Sequence, residues 1–499
     1  MPLNRHNLRY ESETYIIILL SLERKRFMSE RKILTVPNEE IVEQRLYIEE
    51  LKGKLSGKGL KYHIVTYGCQ MNVHDSENLA GMLAEIGYTE TDEQQEADVI
   101  LFNTCCVREN AELRVYGNIG SLKAYKQANP NRIIGVCGCM MQQNEVADYI
   151  QKTFPFVDVI FGTHNLHRFP KLLSQALDSN HTIVEIMDSE GEVVEHIPVK
   201  RATGVSAWVT IMYGCNNFCS YCIVPHVRGR ERSRQPEDIL EEIQTLVMEG
   251  YKEVTLLGQN VNSYGKDLEQ KYLFHQLLRD SSEIEGIERI RFMTSHPKDL
   301  SDELIYAMAE HSKLSKHIHL PIQSGSNRIL HEMNRKYTRE NYLERVEKIR
   351  SVMPDIALTT DIIVGFPGET EEDFQDTLKL VEQIGYDSAF TFLYSPRKGT
   401  PAANKNDQIL QEVKKERLAR LNDKLNKSSN DRNLVYKDQL VEVLVEGPSK
   451  TREDIYTGRT DTNKIVNFEG CPDLLGKLVP IRITKAQTWT LEGEVVPND

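Results

Sequence analysis

Between Lys61 and Leu177, short apolar runs alternate with amphipathic stretches of helical period. The pattern predicts strands at Tyr62–Tyr67, Val99–Asn103, Arg132–Val136 and Val157–Phe161. It predicts helices at Asp75–Glu85, Glu109–Gln127 and Asn144–Lys152. Strands alternating with helices build a parallel sheet. A second series follows, with strands expected at Ala207–Tyr213, Glu253–Gly258, Arg289–Thr294, His317–Pro321, Asp355–Val364 and Ser388–Tyr394. Six parallel strands are too few to close an eight-stranded barrel, so a partial (β/α)6 barrel is expected. From Val435 onward the pattern becomes β-branched alternation, at Leu440–Glu446, Ile455–Thr460, Lys464–Asn467, Leu478–Ala486 and Leu491–Val496. That predicts a small all-β barrel after two α/β modules, and the fold class is α/β.

These patterns divide the chain into a polar N-terminal extension (1–60), a parallel-sheet module (61–180), a partial-barrel core (201–432) and a C-terminal β domain (435–499). Glu39–Leu55 has helical spacing but carries no evident chemistry. Residues 178–206 read as a linker or small hairpin, and 408–432 as a charged helix. Met28 opens a more usual polar start, so residues 1–27 are expected to be a start-site artefact or a disordered tail. The apolar run Tyr15–Leu22 is far short of a membrane span and has no cleavage pattern beside it. The expectation is a cytoplasmic protein with no membrane partner.

The formal net charge is −13 and the pI about 5.7, which argues against a protein that coats nucleic acid non-specifically. A local basic stripe on an acidic body still suffices for an RNA substrate. There are nine cysteines, an odd number in a chain too long for a disulfide scaffold. They read as metal ligands or catalytic thiols.

Three of them form Cys215-Asn-Asn-Phe-Cys219-Ser-Tyr-Cys222, directly after a predicted strand. Three thiolates in one loop can ligate three irons of a cubane and leave the fourth iron open to a substrate. A zinc knuckle completed by His226 is the competing reading. Tyr221 can pack beside a bound cofactor. A second set lies in Thr66–Asn72 (TYGCQMN), Asn103–Arg108 (NTCCVR) and Gly138–Gln142 (GCMMQ). Cys69, Cys105 and Cys139 each sit just past a strand end, where open α/β sheets collect their ligands. Cys106 and Cys137 neighbour two of these and could substitute for them; together with Cys471 they also read as small buried hydrophobes.

Further strand ends carry glycines and polar residues: Gly258-Gln259-Asn260, Gln323-Ser324 in Leu320–Ser326, and Gly365, Gly368 and Glu369 in TTDIIVGFPGET. Glycine there lets a ligand approach the backbone closely. Arg228, Arg230, Arg232 and Arg234, spaced by two just after the cysteine loop, read as phosphate or carboxylate contacts. Arg452, Arg459, Lys464 and Lys485 are the cationic candidates of the C-terminal domain. From Tyr436 that domain holds eight Lys/Arg against eleven Asp/Glu, so charge alone does not mark it as an RNA binder.

The C-x3-C-x2-C loop at a strand end resembles the radical-SAM superfamily, and Gly214–Arg234 (GCNNFCSYCIVPHVRGRERSR) resembles its methylthiotransferase branch. The resemblance runs from residue 61 to 499. It implies that Cys215, Cys219 and Cys222 hold a 4Fe–4S cluster that binds and reductively cleaves S-adenosylmethionine. It implies a second 4Fe–4S cluster on Cys69, Cys105 and Cys139 as the sulfur source. It assigns Gly258 and Gln259 to the methionine end of S-adenosylmethionine, Gly365, Gly368 and Glu369 to its adenosyl end, and Gln323 and Ser324 to polar contacts. The C-terminal domain resembles the TRAM domain, a small RNA-binding barrel. Tyr67–Asn72 and Gly258–Asn262 resemble the branch that methylthiolates C2 of N6-isopentenyladenosine at position 37 of tRNA. That implies a tRNA anticodon stem-loop as substrate, a low-potential electron donor and a monomer. The alternatives are the branch acting on threonylcarbamoyladenosine-37, and a non-catalytic iron–sulfur electron carrier.

Overall fold

A computed structural model of the chain describes residues 35–106, 109–187, 191–201, 204–449 and 452–497. The expected tail at 1–27 lies outside the described residues. The first module is a six-stranded, all-parallel sheet of β1 (Lys61–Thr66), β2 (Thr89–Glu90), β3 (Val99–Thr104), β4 (Ile133–Gly138), β5 (Val159–Phe161) and β6 (Ile183–Glu185). Their spatial order is β2-β1-β3-β4-β5-β6. Helices cover both faces, so β3 and β4 are buried along their whole length. Two apolar cores result, one around Tyr62, Leu79, Leu101 and Phe169, the other around Phe102, Val115, Val136 and Ile150.

β2 and β6 are too short to show a period, and β6 replaces the hairpin expected near residues 178–206. The single helix expected at 109–127 is two, Glu109–Ser121 and Lys123–Ala128. The helix Asn38–Leu55 belongs to this module: it buries Ile48 and Leu51 against helices Gln70–Ile86 and Phe169–Leu177. Its Glu40 accepts from His167 and Arg168. The polar extension is therefore partly built into the first core.

The second module has β7 (Ser206–Thr210), β8 (Met212–Tyr213), β9 (Arg232–Ser233), β10 (Glu253–Leu257), β11 (Arg289–Phe292), β12 (His317–His319), β13 (Ala357–Val364) and β14 (Ser388–Leu393). β7, β10 and β11 form one parallel sheet, and β12, β13 and β14 another. A bridge from Ile290 to Leu314, on the chain entering β12, joins them into one open curve of six strands. The helix Gln411–Leu434 packs along β14, where Asn422 accepts from the Thr391 hydroxyl.

The C-terminal strands β15 (Leu440–Pro448), β16 (Ile455–Thr460), β17 (Ile465–Glu469), β18 (Leu478–Ala486) and β19 (Leu491–Val495) close into a five-stranded barrel around Val443, Val466, Phe468 and Ile481. The barrel docks under the N-terminal ends of the core strands. Arg289 donates to the Arg459 carbonyl at 2.8 Å and Arg291 to the Thr460 carbonyl at 2.9 Å. Lys464 pairs with Asp387 at 2.8 Å. The cysteine loop leaves the opposite, C-terminal end of the core sheet.

Candidate active site

Cys215, Cys219 and Cys222 lie on the loop between β8 and the short helix Val224–Val227. Gly214 (φ +74°) and Phe218 (φ +47°) take left-handed backbone here, and the Cys215 N–H closes on the Gly229 carbonyl at 3.1 Å. Only glycine adopts that region without penalty, so Phe218 is held by its surroundings. Arg230 stacks on its ring at 4.2 Å, and Asn334 donates to its carbonyl at 2.8 Å. Two sulfurs receive hydrogen bonds: Asn217 donates to Cys215 at 3.5 Å and Arg335 to Cys219 at 3.4 Å. Burial pushes the Cys215 thiol up to about 11 and the Cys222 thiol up to about 12. Such thiols become thiolates when a bound cation supplies the missing charge, which fits a metal-ligand set.

Cys69, Cys105 and Cys139 come from the C-terminal ends of β1, β3 and β4, three adjacent strands. The asparagines of their motifs tie these ends together. Asn72 donates to Asn103 Oδ1 at 3.2 Å, and Asn103 donates to the Asn72 carbonyl at 2.8 Å. Thr104 Oγ1 donates to the Cys137 carbonyl at 2.5 Å. Among the described residues no three His, Cys, Asp or Glu side chains converge as ligands of a single ion would.

The chain leaving the core triad packs on the second set of cysteines. Ile223 and Val227, which follow Cys222, pack against Cys106 and Cys139. Arg228, next on the same helix, reaches Cys139 Sγ at 3.3 Å and Asp75 at 2.5 Å. The Cys106 thiol and the Arg228 charge outweigh burial and hold the Cys139 thiol below its usual range.

Three regions of the chain match family models: the Radical SAM superfamily at 209–381, uncharacterized protein family UPF0004 at 61–162, and the TRAM domain at 434–496. A curated tRNA-2-methylthio-N6-dimethylallyladenosine synthase of Acetivibrio thermocellus is 58% identical over 94% of this chain and 98% of its own length. One from Clostridium tetani is 60% identical over 87% of this chain and 96% of its own. The chain belongs to the tRNA-2-methylthio-N6-dimethylallyladenosine synthase family. The solved radical S-adenosylmethionine methyltransferase TsrM of Kitasatospora setae shares the fold at 14% identity, with a TM-score of 0.50 over 69% of this chain and 77% of its own.

The arginine series reads differently once folded. Arg228, Arg232 and Arg234 are buried. Arg234 forks onto Glu195 with two bonds of 2.7 Å and reaches Glu242 and the Thr210 carbonyl at 2.6 Å. Arg232 donates to the Arg228 and Arg230 carbonyls. These three clamp the cysteine loop to its neighbours and do not face a phosphate; Arg230 alone is exposed. Lys464 is likewise spent between barrel and core, while Arg452, Arg459 and Lys485 pair with Asp454, Glu446 and Glu492. Cys137 is a buried core hydrophobe, whereas Cys471 is exposed and Cys106 touches Cys139. The hydrophobe reading thus holds for Cys137 and fails for Cys471.

The strand-end residues divide in the same way. A side chain at Gly258 would lie 2.6 Å from Met212, so that glycine serves close packing under the cysteine loop. Gln259 Oε1, Asn260 Oδ1, Asn262 Oδ1 and Ser295 Oγ are buried without a protein partner. They lie on the loops after β10 and β11, and orphaned polar atoms there suit a polar ligand. The close approaches at Gly365 and Gly368 are made by the protein's own Lys414 and Asp407. Glu369 accepts from Arg417 and from the Gly365 N–H, and burial raises its carboxyl to about 7. Ser324 accepts from the Ser326 N–H at 3.2 Å and meets Thr377. Gln323 sits at φ +71° with its backbone bonded to Asp361 and Ile363 of β13.

Residues missed by motif reading are Asn217, Ser295, His296, Lys298 and Arg335. Lys298 donates to Asn217 Oδ1 at 2.8 Å. Burial lowers His296 to about 2, so it stays neutral, edge-on to Tyr337 at 5.6 Å. Ser295, His296 and Lys298 follow a predicted strand, the one signal that marked the other loops. A groove of about 840 Å3 lies at the opposite, N-terminal edge of the first sheet, by Asp98 and Asp158, and holds none of these residues.

Two predictions follow from this geometry. Gly68 (φ +124°) faces Asn72 Oδ1 and Cys105 Cβ, which a side chain would meet at 2.5 and 2.6 Å. Gly68→Ala should push Cys69 away from Cys105 and cut bound iron by about half, read by iron analysis of the reconstituted protein. Asp373 joins the loops after β12 and β13: it accepts from Ser326 at 2.6 Å, from Arg328, and from the Thr370 N–H that it caps. Against the upward push of burial these bonds hold its carboxyl down at about 2. A depressed acid stabilises above its unfolded pKa and loses that contribution as pH falls through the folded value. Asp373→Asn should therefore cost about 1–3 kcal/mol at pH 7. In urea melts the gap to the native chain should close between roughly pH 4 and pH 2.

Proposed function

We propose that the chain methylthiolates C2 of N6-isopentenyladenosine at position 37 of tRNA, with S-adenosylmethionine and two 4Fe–4S clusters as cofactors. One observation carries the reading: the segment that follows Cys222 seats Ile223, Val227 and Arg228 against Cys139 of the other module. In this reading residues 61–180 form the auxiliary-cluster domain, 201–432 the radical core and 435–499 the RNA-binding barrel. When bound, the groups supply one-electron chemistry and sulfur for an aromatic carbon that resists polar substitution.

The chain's own part is placement. Cys215, Cys219 and Cys222 hold the cleaving cluster; Cys69, Cys105 and Cys139 hold the sulfur-donating one. Gln259, Asn260, Asn262 and Ser295 offer polar atoms to S-adenosylmethionine beside the core triad. The Ile223–Arg228 segment ties the loop of the first site to Cys139 of the second. The protein acts as a cytoplasmic monomer fed by a low-potential electron donor. Among the described residues no helix is long and apolar enough to cross a membrane.

Nucleoside mass spectrometry of tRNA from a deletion strain tests this. Loss of the 2-methylthio group with accumulation of isopentenyladenosine is expected, restored by the native gene. Unmethylthiolated threonylcarbamoyladenosine in its place would assign the other tRNA branch. An unchanged nucleoside profile would overturn the proposal.

A further inference from the structure

Each triad has one buried arginine donating to one of its sulfurs, and the two arginines differ in how their charge is balanced. Arg228 is 5% exposed and Arg335 7%. Arg228 bonds Cys139 Sγ at 3.3 Å and also Asp75 at 2.5 Å, so the pair brings no net charge to its triad. Arg335 bonds Cys219 Sγ at 3.4 Å through Nη1, the Tyr337 hydroxyl at 2.8 Å through Nε, and the Pro321 carbonyl at 2.8 Å through Nη2. Among the described residues no carboxylate pairs with it; its partners are the Cys219 sulfur, a phenol and a carbonyl.

Arginine stays protonated in a protein. A buried, unpaired cation is costly unless an anion meets it. Three thiolates around a cubane supply such an anion. One-electron reduction of a cluster adds one negative charge, and potentials follow net charge and hydrogen bonds to the sulfurs. A fixed cation beside one ligand sulfur therefore favours the reduced form. A neutral Arg–Asp pair beside another does so far less.

We propose that Arg335 is a positioning residue that raises the reduction potential of the cluster at Cys215, Cys219 and Cys222, while Asp75 cancels the same effect of Arg228 at the other triad. The core cluster is thereby the easier of the two to reduce, which directs a single incoming electron to the site where S-adenosylmethionine is cleaved. This rests on the function proposed above.

The test is a mediated redox titration followed by electron paramagnetic resonance, on full-length protein with both clusters reconstituted. Arg335→Gln should lower the reduced-to-oxidised ratio of the core cluster at least tenfold at a fixed potential, a shift of about 59 mV for one electron. Arg335→Lys should restore most of it. Tyr337→Phe removes a hydrogen-bond partner but leaves the charge, and should leave the midpoint in place. Asp75→Asn should raise the midpoint of the second cluster and spare the first. A fully loaded Arg335→Gln with an unmoved midpoint would overturn the proposal, even if its affinity for S-adenosylmethionine fell. Should that variant not hold iron, a midpoint shift in Arg335→Lys as large as tenfold would overturn it equally. Native protein that holds no iron would instead overturn the function on which the proposal rests.

Discussion

Cys215→Ala is expected to abolish release of 5′-deoxyadenosine from S-adenosylmethionine under dithionite, whereas Cys69→Ala should retain release and lose methylthiolation. The two triads belong to different modules with separate cores, so losing a ligand in one leaves the other's fold intact. Burial holds the Cys215 and Cys222 thiols protonated until a metal arrives, and without Cys215 the two remaining sulfurs cannot hold a cluster open for a substrate. Loss should exceed a hundredfold and reach background. Cys69 caps the helix Gln70–Ile86, and its sulfur meets Asn72 at 3.4 Å, with no part in the β8 loop. Chromatographic detection of 5′-deoxyadenosine, run beside nucleoside mass spectrometry of the same reaction, separates the outcomes. Full methylthiolation by Cys69→Ala would sink the assignment of the second triad.

The second large effect is on stability. Arg234→Met should cost about 3–5 kcal/mol, because removing one partner of a buried ion cluster strips Glu195 of its cation and leaves Glu242 with Arg201 alone. Arg234 is 6% exposed and serves Glu195, Glu242 and the Thr210 carbonyl at once. Glu242 is held below the usual range by Arg234 despite burial; for Glu195 burial wins and the pKa rises. Without Arg234 both carboxyls move up. Acids raised in the folded state stabilise below their unfolded pKa, about 4.3 for glutamate, and lose that contribution as pH rises through the folded value. The deficit of Arg234→Met should thus be largest near pH 8 and shrink toward pH 4.5 in urea melts. Arg234→Met with Glu195→Gln and Glu242→Gln should recover part of it. A deficit independent of pH would refute the electrostatic account.

The elements and the cysteines were legible in the sequence because both are local. β3 and β4 announce themselves as apolar runs, and Cys215, Cys219 and Cys222 share eight residues of chain. Cys69, Cys105 and Cys139 were grouped by the rule that strand ends collect ligands, and the order β1-β3-β4 puts them at the ends of neighbouring strands. β2 and β6 escaped because two or three residues show no period.

What needed the tertiary structure was partnership. Arg228 meets Asp75 across 153 residues, and Arg234 meets Glu195 across 39, so three of four spaced arginines that read as phosphate or carboxylate contacts are an internal clamp. Gly365 and Gly368 look open to a ligand in sequence, yet Lys414 and Asp407 arrive from the chain beyond β14. Lys464 looks like an RNA contact and is the bolt between barrel and core. Arg335 carries no motif at all. Periodicity records which face of an element is apolar. It does not record which distant charge that face will meet, and a buried charge takes its meaning from its partner.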